Sequence, residues 1–201
     1  MIKNIIFDFG DIFVNLDKPA TLREMEKHNI GEFSEAILQK NHEYEKGLIS
    51  SEDFLKAYRS EYNLEKEAVV NSWNAILIDF PEHRFQFIKE LSESNKYRLF
   101  LLSNTNEIHI DWIKENVPFF EDFKNCFEAF YLSHEINFRK PDAAIYKFVL
   151  DARDLKPGEC LFIDDIKENT DAAASLGLQI WNLDPTSEDV TDLFTIKKEL
   201  F

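Results

Sequence analysis

Ile5-Ile6-Phe7-Asp8-Phe9-Gly10-Asp11 carries the pattern from which the fold of this chain follows. An unbroken apolar run meets a carboxylate, and a glycine and a second carboxylate follow within three residues. A strand that is apolar on successive residues touches water on neither face, so it belongs in the middle of a sheet covered on both sides. The polar residues after it mark where the chain leaves the sheet. The same pattern returns at residues 98–102 before Ser103-Asn104-Thr105, at 129–132, and at 160–163 before Asp164-Asp165, with 179–183 as a fifth run. Helical patterns separate these runs. The combination predicts an α/β fold with a Rossmann-like parallel sheet.

The uneven spacing of the runs carries a second message. About ninety residues separate the first run from the second, far more than one crossover needs. Inside the gap Ser50 and Asp53 form a capping-box pattern ahead of Phe54, Leu55 and Tyr58, and residues 65–77 carry Val69, Val70, Trp73, Ile76 and Leu77 at helical spacing. Residues 16–80 are therefore expected to be a helical-bundle cap inserted into a core made of residues 1–15 and 81–201. Pro81 suits the first turn of the helix that returns to the sheet, with Phe85, Ile88 and Leu91 on one face.

Composition narrows the function. The 201 residues hold 23 Lys plus Arg against 38 Asp plus Glu, a formal charge of −15. No basic cluster exists to displace counterions from a nucleic acid, and none forms a basic membrane-surface helix. The acidic surplus concentrates in residues 151–201, with 12 acidic against 5 basic side chains. Hydrophobic residues make up 44% of the chain, including 19 Phe, which is enough to bury a sizeable core. No run approaches the roughly 20 apolar residues of a bilayer-spanning helix, and Asp8 and Asp11 interrupt the place where a secretion signal would be apolar. A cytoplasmic protein, monomeric or a small homo-oligomer, is the expectation. Cys126 and Cys160 are too few for a disulfide framework or a zinc site and read as packing residues.

Ligands of open parallel sheets bind beyond the carboxyl ends of the strands, so the strand ends hold the candidate chemistry. Asp8, Asp164 and Asp165 would converge there, and their repulsion calls for a divalent cation or a shared proton. An all-oxygen site of this kind suits magnesium. Ser103, with the backbone N–H groups of Asn104 and Thr105 at a helix start, has the chemistry of a phosphate cradle. Lys140, before Pro141, would add positive charge to a phosphoryl group in transfer.

Phe7-Asp8-Phe9-Gly10, Leu102-Ser103-Asn104-Thr105, Arg139-Lys140-Pro141-Asp142 and Phe162-Ile163-Asp164-Asp165, with Asn169 following, resemble in this order the four motifs of the haloacid dehalogenase-like (HAD) hydrolases. The resemblance spans the whole chain and points to the phosphatase branch with a helical cap after the first strand. Glu45-Lys46-Gly47-Leu48-Ile49-Ser50 and Ser103-Asn104-Thr105-Asn106 look most like bacterial sugar-phosphate phosphatases of the α-glucose-1-phosphatase type. The resemblance implies a hydrolase in which Asp8 attacks phosphorus to form an aspartyl-phosphate that water then hydrolyses. It also implies that Asp8, the Gly10 carbonyl, Asp164 and Asp165 hold magnesium, and that Ser103, Asn104 and Lys140 bind the phosphoryl group of a small phosphorylated metabolite. Tyr44 and Glu45 are the candidates for substrate selection from the cap.

One position departs from the pattern. Most phosphatases that the chain resembles carry a second Asp two residues after the nucleophile as general acid and base; here that residue is Gly10, and Asp11 comes one residue late. General acid–base help is worth about 10²- to 10⁴-fold, so its loss favours a good leaving group such as the anomeric oxygen of a hexose 1-phosphate. Two alternatives stay open on the sequence: a metal-independent dehalogenase using Asp8 against carbon, and a phospho-ligand-binding protein without turnover. The paired Asp164 and Asp165 favour the phosphatase over the dehalogenase. Among the histidines, His42 is the one placed to line a substrate entrance, and none shows metal-ligand spacing.

Overall fold

The computed structural model describes residues 1–201. Along the chain, β1 (Asn4–Phe7) and the two-residue β2 (Asn15–Leu16) precede α1 (Ala20–Glu26), α2 (Glu35–Glu45), α3 (Ser51–Tyr62) and α4 (Lys66–Asn74). A short β3 (Leu77–Asp79) leads to α5 (Glu82–Glu93) and β4 (Arg98–Ser103). The elements α6 (Glu107–Asn116), α7 (Phe120–Lys124), β5 (Ala129–Leu132), α8 (Ser133–Ile136) and α9 (Ala143–Ala152) come next. Finally β6 (Cys160–Asp164), α10 (Lys167–Ser175), β7 (Gln179–Asn182) and α11 (Leu193–Ile196) complete the chain.

Five parallel strands form one sheet in the order β5-β4-β1-β6-β7. The winding reverses at β1, the position at which doubly wound sheets open a crevice for ligands. Register explains why the apolar runs are continuous. Ile5, Leu99 and Leu161 stand abreast and face the larger core cluster, while Ile6, Phe100 and Phe162 stand abreast and face the opposite one. Alternate residues thus enter separate cores on the two faces of the sheet. On the first face Phe7, Phe9, Phe13, Phe80 and Phe123 pack ring against ring, which accounts for much of the phenylalanine content.

Helices α1–α4 have an apolar cluster of their own, with Met25, Ile37, Tyr44, Phe54, Tyr58, Val69 and Trp73 buried together and Ile108 of α6 closing it. The Ser50 and Asp53 pattern is a true cap: Ser50 Oγ accepts from Asp53 N at 3.1 Å and donates to the Asp53 carboxylate at 2.8 Å. At the ends of the insertion β2 and β3 pair antiparallel, Leu16 opposite Leu77. The sequence pattern predicts no such ribbon, because runs of two and three residues are too short to show a period. Helix α4 stops at Asn74 instead of reaching 77 because Leu77 is taken into the pairing with Leu16, and the single-turn α8 between β5 and Lys140 is likewise too short to show a period. No helix is long and apolar enough to cross a membrane.

Candidate active site

The shared register places Asp8 level with Asp164, each one residue past the Phe7–Ile163 pair. Between them stands Lys140, delivered by the loop before α9 and only 1% exposed. Its Nζ lies 2.6 Å from Asp164 Oδ2, to which it donates, and 2.8 Å from Asp8 Oδ1. A buried ammonium is sustained only by opposite charge and hydrogen bonds of this sort. Burial opposes its charge, but Asp164 and Asp8 outweigh that and hold the Lys140 pKa above its ordinary value. Asp164 is fixed from behind: Asn169 Nδ2 donates to both carboxylate oxygens at 3.0 Å, and Ile166 N donates to Oδ1 at 2.8 Å. Asp8 is the less satisfied partner. Burial pushes its carboxyl up, to about 7, against the pull of Lys140 and with a further push from Asp164.

Charge at this end of the sheet is unbalanced in a way that suits a cation. One oxygen from each of Asp8, Asp164 and Asp165 falls within 4.8 Å of the others. Asp8 Oδ1 is buried and, although close to Lys140, takes no well-aligned hydrogen bond. Burial also raises the Asp165 carboxyl, and Lys18 opposes it. The turn after β1 is closed by Val14 N to Phe9 O at 3.1 Å and Asp11 N to Val14 O at 2.7 Å, neither of which uses the Gly10 carbonyl. A carbonyl and three carboxylates are the hard oxygen donors that magnesium takes. The residues present fit such an ion.

On the opposite side Ser103 ends β4. It is buried, and its Oγ has only a long 3.4 Å contact to the Asn104 carbonyl, so the hydroxyl retains donor capacity. The cradle itself differs from the expectation in two respects. Helix α6 begins only at Glu107, with Asn106 as its cap, and the Thr105 N–H is already bonded to Ser133 Oγ at 2.9 Å. The Asn104 side chain is committed as well, accepting from Lys140 N and donating to Lys140 O, both at 2.9 Å. Asn104 thus locks the Lys140 backbone, and only its backbone N–H is left to face a phosphoryl group.

Gly10 and Asp11 follow from backbone geometry. Asp11 is left-handed, φ 55°, and its carboxylate turns away from Asp8: Oδ1 accepts from Leu16 N at 3.0 Å and Oδ2 pairs with Lys18 at 2.9 Å. Lys18 also pairs with Asp165, so this unforeseen lysine joins the start of the insertion to the carboxylate cluster. A Cβ on Gly10 would come within 2.7 Å of Leu16 Cδ1. Where a second Asp would project, a leucine methyl fills the space.

A cavity of about 130 Å³ lies between the strand ends and the insertion, lined in part by Gly10, Leu16, Glu45, Ser103, Asn104 and His109. Glu45 therefore reaches it. Tyr44 is 2% exposed, and its hydroxyl contacts Ser51 Oγ at 2.7 Å and accepts from Ile108 N at 3.2 Å, so it joins α2 to α6. His42 is exposed, whereas His109, not singled out by spacing, lines the cavity. Its Nε2 donates to the Trp73 carbonyl at 3.1 Å and its Nδ1 accepts from Asn106 Nδ2 at 3.1 Å. That pairing fixes the neutral tautomer, and burial holds its pKa down near 4.

Comparison with known proteins identifies the family. A D-ribitol-5-phosphate phosphatase from Bacteroides thetaiotaomicron is 28% identical over 193 residues, covering 89% of this chain and 90% of the relative. A HAD family enzyme from the same organism, solved in complex with magnesium and inorganic phosphate, superposes with a TM-score of 0.84 at 32% identity, over 96% of this chain and 100% of that one. A HAD-like hydrolase from Porphyromonas gingivalis gives 0.84 at 26% identity, over 100% and 98%. The family model for haloacid dehalogenase-like hydrolases matches residues 2–177, and the chain belongs to that family.

Proposed function

We propose that the protein is a magnesium-dependent phosphatase acting on a small phosphorylated metabolite, a sugar or polyol phosphate, through an aspartyl-phosphate on Asp8. The observation that carries this reading is Lys140, buried between Asp8 and Asp164 at 2.8 and 2.6 Å, within a carboxylate cluster that also includes Asp165. A carboxylate approaching a phosphate dianion meets steep repulsion, and a fixed ammonium beside it lowers that barrier. Asp8 then attacks phosphorus in line while Ser103 Oγ, the Asn104 backbone N–H and Lys140 hold the non-bridging oxygens. Magnesium, held by Asp8, the Gly10 carbonyl, Asp164 and Asp165, would supply the further positive charge that the phosphoryl oxygens need. The leaving oxygen departs into the cavity beside Glu45 and takes its proton from water, and a second water then attacks phosphorus, breaking its bond to Asp8 so that inorganic phosphate leaves and the carboxylate is regenerated.

The magnesium and phosphate complex of the Bacteroides HAD enzyme supports the cofactor, and the ribitol-phosphate phosphatase supports the substrate class. Residues 16–80 act in this reading as the cap, with residues 1–15 and 81–201 as the catalytic core. Glu45 lines the cavity from the cap with its carboxylate turned to Arg139, and Tyr44 contributes by holding α2 in place. The methyl of Leu16 beside Gly10 leaves the departing oxygen without a carboxylic acid, which favours a hexose 1-phosphate over an ordinary ester.

A phosphate-release screen with magnesium tests the proposal, using hexose 1-phosphates, hexose 6-phosphates and ribitol 5-phosphate beside the Asp8→Asn variant. Release is expected from the unaltered protein, lost in the variant and lost on chelation, with 1-phosphates cleaved faster than 6-phosphates. Phosphate release that survives chelation would remove the magnesium requirement, and metal-independent halide release from a haloacid would favour dehalogenase chemistry. Binding of phosphorylated ligands with no release would favour a binding protein.

A further inference from the structure

The turn after α2 grips the loop that carries Lys140 from both sides. Ser133 Oγ donates to the Glu45 carbonyl at 2.6 Å, Asn137 Nδ2 donates to the Lys46 carbonyl at 2.8 Å, and Lys46 pairs with Asp142 at 3.1 Å. Gly47 lies so close that a Cβ there would stand 1.9 Å from the His134 carbonyl oxygen, at φ +63°. At the centre, Arg139 Nε donates to Glu45 Oε2 at 2.6 Å, while Arg139 Nη1 donates to the Lys140 carbonyl at 3.1 Å. That carbonyl is also the acceptor of the Asn104 amide.

We propose that Glu45 is a positioning residue that, through Arg139, makes the seating of the helical insertion on the sheet a condition for holding Lys140 between Asp8 and Asp164. The inference rests on the phosphatase reading for its catalytic consequence and on geometry alone for its structural one. A lysine side chain is long and flexible, so where its ammonium sits depends on how its backbone is held. Two groups hold the Lys140 carbonyl, and one of them, Arg139, is oriented by a carboxylate that belongs to the insertion. The pair is sheltered, with side chains 28% and 24% exposed, so solvent screens it less than a surface pair. When the insertion lifts away, Arg139 loses its counter-ion, and Lys140 loses one of the bonds that keep it in register.

Amide hydrogen exchange at Lys140, followed by NMR in Glu45→Gln, Arg139→Gln and the double variant, tests the structural half. Exchange at that one amide is expected to quicken about 5- to 10-fold in all three, with the melting temperature unchanged. Steady-state phosphate release tests the catalytic half. The expectation is a kcat reduced about 10-fold for two substrates with different leaving groups, KM unchanged, and the double variant no worse than the deeper single. Arg139→Lys, which keeps a cationic donor for Glu45 or the Lys140 carbonyl, should retain part of the activity that Arg139→Gln loses. Unchanged exchange at Lys140 would overturn the proposal. So would a defect in KM alone, confined to one leaving group, because that is the signature of Glu45 touching substrate directly. If the unaltered protein releases no phosphate, the phosphatase reading fails, and the exchange result still decides the positioning role.

Discussion

Asp8, Lys140 and Asp164 form a triad in which two buried acids share one buried cation, and the consequences of removing the cation follow from charge. Lys140→Met leaves two neighbouring carboxylates without their common partner. Breaking a buried pair from one side costs about 3–5 kcal/mol, so the variant should melt at lower temperature in metal-free buffer. Added magnesium should then raise its melting temperature more than that of the unaltered protein, because the ion meets more uncompensated negative charge. Equal shifts in calorimetry would argue against a cation among these carboxylates. Gly10 gives a second prediction at this scale. An Asp there must push aside the Leu16 methyl 2.7 Å away, the end of a side chain that can turn. Gly10→Asp combined with Leu16→Ala should raise kcat on a hexose 6-phosphate, by up to about 10²-fold, and Gly10→Asp alone should raise it less. No gain in either variant, with the fold intact by circular dichroism, would mean that the leaving oxygen does not lie beside Gly10. Asp8, Gly10, Ser103, Asp164 and Asp165 stand out in the sequence because each closes or follows an apolar run, and Lys140 because it sits in the Arg139-Lys140-Pro141 motif. Lys18, Ser133 and the roles of Leu16 and Asn104 do not, since those roles arise from contacts between segments far apart in sequence.

Helix α6 meets the insertion through His109, and that contact sets a pH dependence for the element pair. The imidazole bridges Asn106 at the start of α6 and the carbonyl of Trp73 in α4. Burial lowers its pKa from 6.5 to about 4, so the folded protein keeps it neutral over a range in which the unfolded chain takes up a proton. The unfolded state then binds more protons, and stability contributed by this group is present above about pH 6.5 and is lost as pH falls toward 4. Melting temperatures measured across that interval should fall with pH, and His109→Gln should have the shallower slope. Identical slopes would remove His109 from the account. The strands and the capped α3 were readable from local pattern, because an unbroken apolar run or a Ser-x-x-Asp spacing names its own geometry. The β2–β3 ribbon and the one-turn α8 were not, because elements this short are held by their tertiary partners.

Across the whole molecule, a charge of −15 coexists with the site proposed to receive a phosphate. The two are compatible because Lys140 is buried at the strand ends, while most of the acidic surplus belongs to other parts of the chain. The parallel sheet, the reversal of winding at β1 and the helical segment above it together determine that Asp8, Ser103 and Asp164 emerge along one edge. This arrangement was legible from the order and spacing of the runs. What the helices between β1 and β4 touch was not, since they meet the sheet through side chains with no periodic signature. The proposed reaction requires Asp8 to carry the phosphoryl group. Rapid quenching of the protein during turnover of a phosphorylated substrate, followed by borohydride reduction and peptide mass spectrometry, tests it most directly. Homoserine at position 8, formed by reduction of the acyl phosphate, is the expected product. Phosphate release at full rate with position 8 recovered only as unmodified aspartate would contradict it.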